Sequence, residues 1–244
     1  MNKILLTGGT GFLGVALLKY WCNVVCEGHV FPHVFVLSRD PSSFLRKNPE
    51  FLNHHWLSFH TGNILDPATL PFDESFTQIL HAATDSTLGP QLTPRTRFQN
   101  IVDGTRNILD LAVKVRAERF LLTSSGAVYG TQTNSLDAMM ENQTVHPVIN
   151  APRNAYGVGK LVAEHLCALY AEEFGLETIV ARCFSFNGPD LPLDVHFAIG
   201  NFIRDALWKD EIIVNGDGAP LRSYLDQEDL ADWFHVLLQN GSAG

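Results

Sequence analysis

The sequence predicts an α/β fold, a doubly wound parallel sheet with helices on both faces. Three observations predict it. Short apolar runs alternate with longer stretches of helical periodicity, a glycine-rich turn joins the first run to the first helix, and the composition supplies a large core. Of 244 residues, 45% are hydrophobic and 18% charged, which suits one large domain or a domain with a small annex. The formal charge is −9, from 17 basic and 26 acidic residues, and argues against a broad nucleic-acid or anionic-membrane surface. No apolar run approaches the ~18 uninterrupted residues of a membrane span. Ile4-Leu5-Leu6 passes straight into glycines rather than into a secretory h-region, and four scattered cysteines make no disulfide framework. The expectation is a soluble, cytoplasmic protein with no nucleic-acid and no membrane partner.

Each element follows from its local pattern. Lys3-Ile4-Leu5-Leu6-Thr7 is a short apolar run stopped by Gly8-Gly9, as a buried strand would be. From Phe12 to Cys26, Val15, Leu18, Trp21, Cys22 and Val25 recur at spacings of three and four, which is helical. Val34-Phe35-Val36-Leu37 and Gln78-Ile79-Leu80-His81 read as strands, with a weaker strand signal at Leu57-Ser58-Phe59-His60. A helix is expected over Arg97 to Val115, a strand over Arg119 to Thr123, a helix over Ala155 to Phe174 and a strand over Glu177 to Ala181. Such alternation implies βαβ units with right-handed crossovers. After Asn187 the order loosens at Gly188-Pro189-Asp190-Leu191-Pro192, so residues 1–187 are read as the dinucleotide-binding domain and 188–244 as a partial substrate-binding lobe.

The glycine turn carries the first functional signal. Gly8, Gly11 and Gly14 lie between the first strand and the first helix, in Gly8-Gly9-Thr10-Gly11-Phe12-Leu13-Gly14. Glycines at these places permit a tight turn, close backbone approach to a pyrophosphate, and close helix–strand packing. The helix N-terminus then offers free N–H groups and the positive end of its dipole. At the end of the second strand, Ser38 stands where an acid would accept bonds from the ribose hydroxyls of NAD, and Arg39 follows it. An arginine there suits the extra phosphate of NADP, so NADP is favoured and NAD remains possible. The alternative is a solvated Arg39 that pairs with Asp40 or Glu50.

A second signal is Tyr156-Gly157-Val158-Gly159-Lys160. Residues four apart share a helix face, so phenol and ammonium can act together. Bringing a tyrosine from ~10 to ~7 takes roughly 4 kcal/mol. The lysine and a positive nicotinamide ring are the expected sources of that stabilisation. Ser125, in Thr123-Ser124-Ser125-Gly126-Ala127-Val128-Tyr129-Gly130 at a strand end on the same rim, could orient a reacting carbonyl or hydroxyl.

Together these features resemble the extended short-chain dehydrogenase/reductases, the NAD(P)-dependent nucleotide-sugar epimerases and dehydratases. Further motifs in family order are Gly62-Asn63-Ile64-Leu65-Asp66, His81-Ala82-Ala83, Asn100-Ile101-Val102-Asp103-Gly104-Thr105, Cys183-Phe184-Ser185-Phe186-Asn187-Gly188-Pro189 and Gly216-Asp217-Gly218-Ala219-Pro220-Leu221-Arg222. The resemblance implies a Rossmann-like fold. It also implies that Ser125, Tyr156 and Lys160 are catalytic, with Tyr156 and Lys160 also touching the cofactor. Phe12, Leu13, Asn63, Ile64, Ala82, Ala83 and Asn100 match cofactor contacts. Ser185, Asn201 and Arg222 match substrate contacts, Arg222 on the diphosphate. Relatives pair the helices begun near Arg97 and Ala155 across a four-helix bundle, which implies a homodimer.

Departures narrow the expected reaction. Where the dehydratases carry an Asp-Glu pair and the decarboxylases a Glu, this chain has Gly126-Ala127. That favours 4-epimerisation or 4-keto reduction of a nucleotide-activated sugar, with a 4,6-dehydratase or a non-catalytic dinucleotide-binding protein as alternatives. Ser185 replaces a frequent Asn. The chain stops at Gly244 where relatives continue, so the resemblance implies a truncated C-terminal substrate lobe. Other features have plainer readings. Cys22 and Cys26 read as structural cysteines rather than half a metal site, and no metal is expected. His54 and His55 invite the same metal speculation on no stronger ground, and His81 reads as hydrogen-bonded in its loop rather than catalytic. Asp226, Glu228 and Asp229 read as a helix N-cap with solvated neighbours rather than a carboxylate cluster.

Overall fold

The computed structural model describes residues 2–84, 91–131, 139–143, 145–195, 197–214, 216–218 and 221–244. The main strands are β1 (Lys3–Thr7), β2 (His33–Ser38), β3 (Leu57–Thr61), β4 (Gln78–His81), β5 (Arg119–Ser125) and β6 (Glu177–Cys183). They form one parallel sheet in the order β3-β2-β1-β4-β5-β6. The helices are α1 (Phe12–Cys26), α2 (Pro41–Lys47), α3 (Pro94–Lys114), α4 (Ala155–Phe174), α5 (Ala198–Trp208) and α6 (Gln227–Asn240). A two-stranded parallel pair, β7 (Ser185–Asn187) and β8 (Tyr224–Asp226), lies outside the main sheet. All the strands and helices expected from pattern are present, within a few residues at their ends.

The apolar runs are continuous because the sheet is covered on both faces. Side chains alternate along a strand, so Ile4 and Leu6 of β1 join one core cluster while Leu5 joins the other. The first cluster contains Leu18 and Trp21 of α1; the second contains Ile108 and Leu109 of α3 with Ala163 and Cys167 of α4. The chain winds outward from β1 through β2 to β3, then returns to lay β4 against the other side of β1. That reversal opens a crevice at the carboxyl ends of β1 and β4, where such sheets bind ligands.

Helix ends follow from short polar residues. Thr93 caps α3 through its hydroxyl, which accepts from Thr96 N at 3.2 Å, with Pro94 in the first position. Asp226 caps α6, accepting from Glu228 N at 2.9 Å, as the N-cap reading expects. The seven-residue α2 is too short for periodicity to announce; Asp40 holds it, accepting from Ser43 N at 2.9 Å. Asp40 is thus engaged as a cap.

One expectation needs correction. The division at residue 188 assigns α6 to the substrate lobe, yet α6 packs on α1 in the main core. Leu230, Phe234 and Leu238, four apart, form a buried stripe with Ala231 in the same cluster as Val15 and Trp21. The loose order after Asn187 marks an excursion through β7, α5 and β8, after which the chain returns to the first layer.

Candidate active site

The turn after β1 shows what each glycine does. Gly8 has φ +76°, and a Cβ there would stand 2.6 Å from the Ala82 carbonyl carbon and 2.7 Å from Ala83 N. Gly14 faces the turn so closely that a Cβ would meet Gly9 Cα at 2.3 Å. Gly11 is different: its Cβ would meet only Gly8 O at 3.5 Å, so the space before it is open. These are the geometries of a tight turn at Gly8, a packing contact at Gly14 and a backbone open to a pyrophosphate at Gly11.

This turn lines a cavity of about 990 Å³. Gly8, Gly11, Phe12, Leu13, Ser38, Arg39, Asn63, Ile64, Ala82, Ala83 and Asn100 all line it, as do Ser125, Tyr156, Lys160, Ser185 and Arg222. Residues from many elements and their connecting turns thus meet at the carboxyl edge of the sheet. Gly14 lies beneath the turn rather than on the wall. Asn201 is also not on the wall: its Oδ1 accepts from Arg204 Nη1 at 3.1 Å, and α5 contributes Ala198 and Ile199 instead. The carboxamide oxygen of Asn63 accepts from Leu65 N at 3.1 Å, which holds the side chain in its turn. Within the glycine-rich motif before Arg222, Ala219 and Pro220 lie outside the described residues.

The residues fit a dinucleotide. The open backbone at Gly11, the start of α1 and the volume of the cavity match what a pyrophosphate and its two nucleosides require. On the same wall, Tyr156 and Lys160 share one face of α4. Lys160 is buried and its Nζ donates to the Thr123 carbonyl at 2.7 Å, while burial lowers it to about 8. Burial pushes the Tyr156 phenol up, and the Ser125 side chain and the Arg97 charge act downward. The Lys160 ammonium is thus turned to the backbone, and the cation against the Tyr156 ring is Arg97, 4.4 Å from the centroid. The Ser125 hydroxyl also accepts from Ala127 N at 3.2 Å, which fixes it at the rim.

Behind the site, Glu164, one turn beyond Lys160, grips Arg182 of β6 with Nη2–Oε2 at 2.8 Å and Nε–Oε1 at 3.1 Å. The Ser124 hydroxyl donates to the same carboxylate, and Arg182 Nη1 donates to the Tyr129 hydroxyl at 2.9 Å. This brace ties α4 to β5 and β6. His81 is buried, its Nδ1 2.8 Å from Thr7 Oγ1 and its Nε2 3.4 Å from Thr105 Oγ1. Burial, then the Lys160 charge, hold it down at about 3, so it is the neutral, hydrogen-bonded loop histidine expected. Cys22 and Cys26 are free, and no cluster that could hold a metal ion occurs among the described residues. None of the described helices is long and apolar enough to cross a membrane.

Sequence reading gave no site role to many wall residues, among them Arg97, Cys183 and Phe184. Arg97 had one available signal, because a cation near a helix N-terminus opposes the dipole and needs another reason to be there. The Phe184 ring stands 2.6 Å from where a Cβ on Gly126 would lie, so the acid absent from that position has no room unless the ring moves.

Comparison with known proteins agrees with this geometry. Residues 4–244 match the model of the NAD dependent epimerase/dehydratase family. Among curated relatives, the chain is 32% identical to UDP-glucuronic acid decarboxylase 1 of Arabidopsis thaliana over 244 residues, covering 99% of this chain and 53% of the relative. It is 29% identical to the UDP-glucuronic acid decarboxylase 1 of Xenopus tropicalis, covering 98% and 54%. The chain thus spans about half the length of these relatives. In fold it superposes with a TM-score of 0.85 on a dTDP-glucose 4,6-dehydratase from Streptomyces venezuelae solved with NAD, at 24% identity over 99% of this chain and 73% of that one. The score is 0.78 for a UDP-glucuronic acid 4-epimerase from Bacillus cereus solved with UDP-glucuronic acid and NAD, at 23% identity over 99% and 74%. Glycine turn, Tyr-x-x-x-Lys helix and sheet order together agree with the family match, and the chain belongs to the NAD dependent epimerase/dehydratase family.

Proposed function

We propose that this chain carries the cofactor and proton-transfer machinery of an enzyme that oxidises or reduces C4 of a nucleotide-activated sugar, as a 4-epimerase or 4-keto reductase. The observation that carries the reading is that Ser125, Tyr156 and Lys160 share one cavity with the glycine turn. When bound, NAD or NADP supplies the hydride acceptor and donor. Tyr156 takes the proton from the C4 hydroxyl as the carbon is oxidised, and returns it to the C4 oxygen as the ketone is reduced. Ser125 orients that oxygen by hydrogen bonding, and Lys160 holds the nicotinamide ribose. Arg222, exposed at the rim, takes the substrate diphosphate. Ser38 and Arg39 on the wall support NADP, whereas the fold neighbours solved with NAD support NAD. The reading extends to a cytoplasmic homodimer that pairs α3 and α4 in a four-helix bundle; the exposed Leu169 and Phe174 on α4 support it.

A second reading, decarboxylation of a uronic acid, has the curated relatives in its favour and Gly126-Ala127 against it. It shares the first step, since oxidation at C4 leaves the carboxylate β to a ketone. Dehydration lacks its acid/base pair in the same place. The test is product analysis by NMR with UDP-glucose, UDP-glucuronic acid, dTDP-glucose and a 4-keto nucleotide sugar, each with NAD, NADH, NADP or NADPH. A C4 epimer or a reduced C4 is expected, and Tyr156→Phe is expected to slow turnover by at least about 100-fold. Release of carbon dioxide would select the second reading. Unaltered turnover in Tyr156→Phe would remove the proton role altogether.

A further inference from the structure

The cation nearest the Tyr156 ring comes from a different helix than the lysine of the Tyr-x-x-x-Lys motif. Arg97, on α3, places its guanidinium carbon 4.4 Å from the ring centroid. Both side chains line the cavity. The Arg97 Nε is buried and has no hydrogen-bond partner among the described residues. A guanidinium nitrogen taken from water without a partner is costly, and persists where the charge serves a neighbour.

We propose that Arg97 is a positioning residue that stabilises the phenolate form of Tyr156 through the face of its ring. Deprotonation spreads negative charge from the phenolic oxygen into the ring, so a cation over the face is attracted more strongly to phenolate than to phenol. Partial exclusion of water at this contact weakens the screening of that attraction. The other groups around the phenol are accounted for. Lys160, on the same helix, commits its Nζ to the Thr123 carbonyl at 2.7 Å. Ser125 of β5 contributes an uncharged hydroxyl, and Cys183 of β6 is a buried thiol that burial pushes up to about 12 and keeps neutral. Arg97 is thus the charged group in contact with the ring. It transfers nothing itself: the O–H bond of Tyr156 breaks as the proton passes to the substrate oxygen, and re-forms on its return.

This inference rests on the reading of Tyr156 as the proton carrier, but its test does not require turnover. The ultraviolet phenolate band is titrated in the protein without dinucleotide. Each spectrum is taken against the same protein carrying Tyr156→Phe, which isolates Tyr156 from the other tyrosines. Arg97→Gln and Arg97→Met are expected to raise its midpoint by about one pH unit, a tenfold loss of phenolate at a given pH. Arg97→Lys, which keeps a cation, is expected to recover most of that shift. The alkaline-side dependence of turnover should move by the same amount. An unmoved midpoint in either neutral variant overturns the proposal. So does an Arg97→Lys midpoint about one unit above that of the unsubstituted protein, a result that decides the matter even if the neutral variants fail to fold. Tyr156→Phe that keeps its turnover defeats the proposed function instead; an inactive Tyr156→Phe with an unmoved Arg97→Gln midpoint defeats only the role of Arg97.

Discussion

Replacing Gly8 with alanine separates two reasons for a glycine that usually coincide. Gly8 and Gly28 both have positive φ, +76° and +84°, so alanine at either place meets a left-handed penalty of about 1–2 kcal/mol. Both substitutions also gain the same ~0.4–1 kcal/mol from a less flexible unfolded chain, which cancels in the comparison. They differ in surroundings. A Cβ at Gly28 meets nothing within 4 Å, whereas one at Gly8 stands 2.6–2.7 Å from the Ala82–Ala83 backbone. Ordinary contact begins near 3.4 Å, so that backbone must retreat by several tenths of an ångström. Overpacking of this kind costs about 1–3 kcal/mol. For a chain of this size each kcal/mol moves Tm by about 2–4 °C, so Gly8→Ala should melt roughly 2–12 °C below Gly28→Ala. Because Ala82 and Ala83 line the cavity and Gly28 does not, Gly8→Ala should also weaken NAD or NADP binding at least about tenfold, while Gly28→Ala leaves it unchanged. Scanning calorimetry and titration calorimetry read the two effects. Equal Tm values with equal affinities would refute the close approach of β1 and β4 as the reason for this glycine.

Two further outcomes follow from buried polar groups. His81 titrates at about 3 in the fold and near 6.5 unfolded, so the unfolded chain takes up the proton first as pH falls. Its contribution is complete above pH ~6.5 and declines toward pH ~3, by up to about 1.4 kcal/mol per pH unit. Urea unfolding of His81→Asn across that range should show a correspondingly shallower slope; an identical slope would exclude the histidine as the source. Glu164→Gln leaves Arg182 half-buried beside a neutral amide, and should cost about 2–4 kcal/mol, read as a fall in Tm of roughly 5–15 °C. A Tm unchanged within error would show that the brace contributes nothing to stability.

The order of elements was legible in the chain because it depends on local pattern, whereas wall residues such as Asn63, Ala82 and Asn100 came only from the resemblance. Gly8, Gly11 and Gly14 sit between a strand pattern and a helix pattern, and Tyr156 and Lys160 have the spacing of one helical turn. Asn201 was misplaced because a motif gives position along a helix but not the helix's rotation, and in the fold Arg204 takes the carboxamide oxygen. Leu230, Phe234 and Leu238 take their place in the first core layer only once α6 has folded back on α1.

Alternation and glycine spacing therefore suffice for the class of fold, for the glycine turn between β1 and α1 and for the shared helix face of Tyr156 and Lys160, since each is written over a few consecutive residues. The partner of each side chain across the sheet is a matter of packing between segments distant in the sequence. Only the assembled layers bring Arg97 onto the Tyr156 ring, turn the Lys160 ammonium to Thr123, set Phe184 over Gly126 and return α6 to α1. These are long-range contacts, decided by how helices rotate and settle on a twisted sheet, and no local periodicity encodes them.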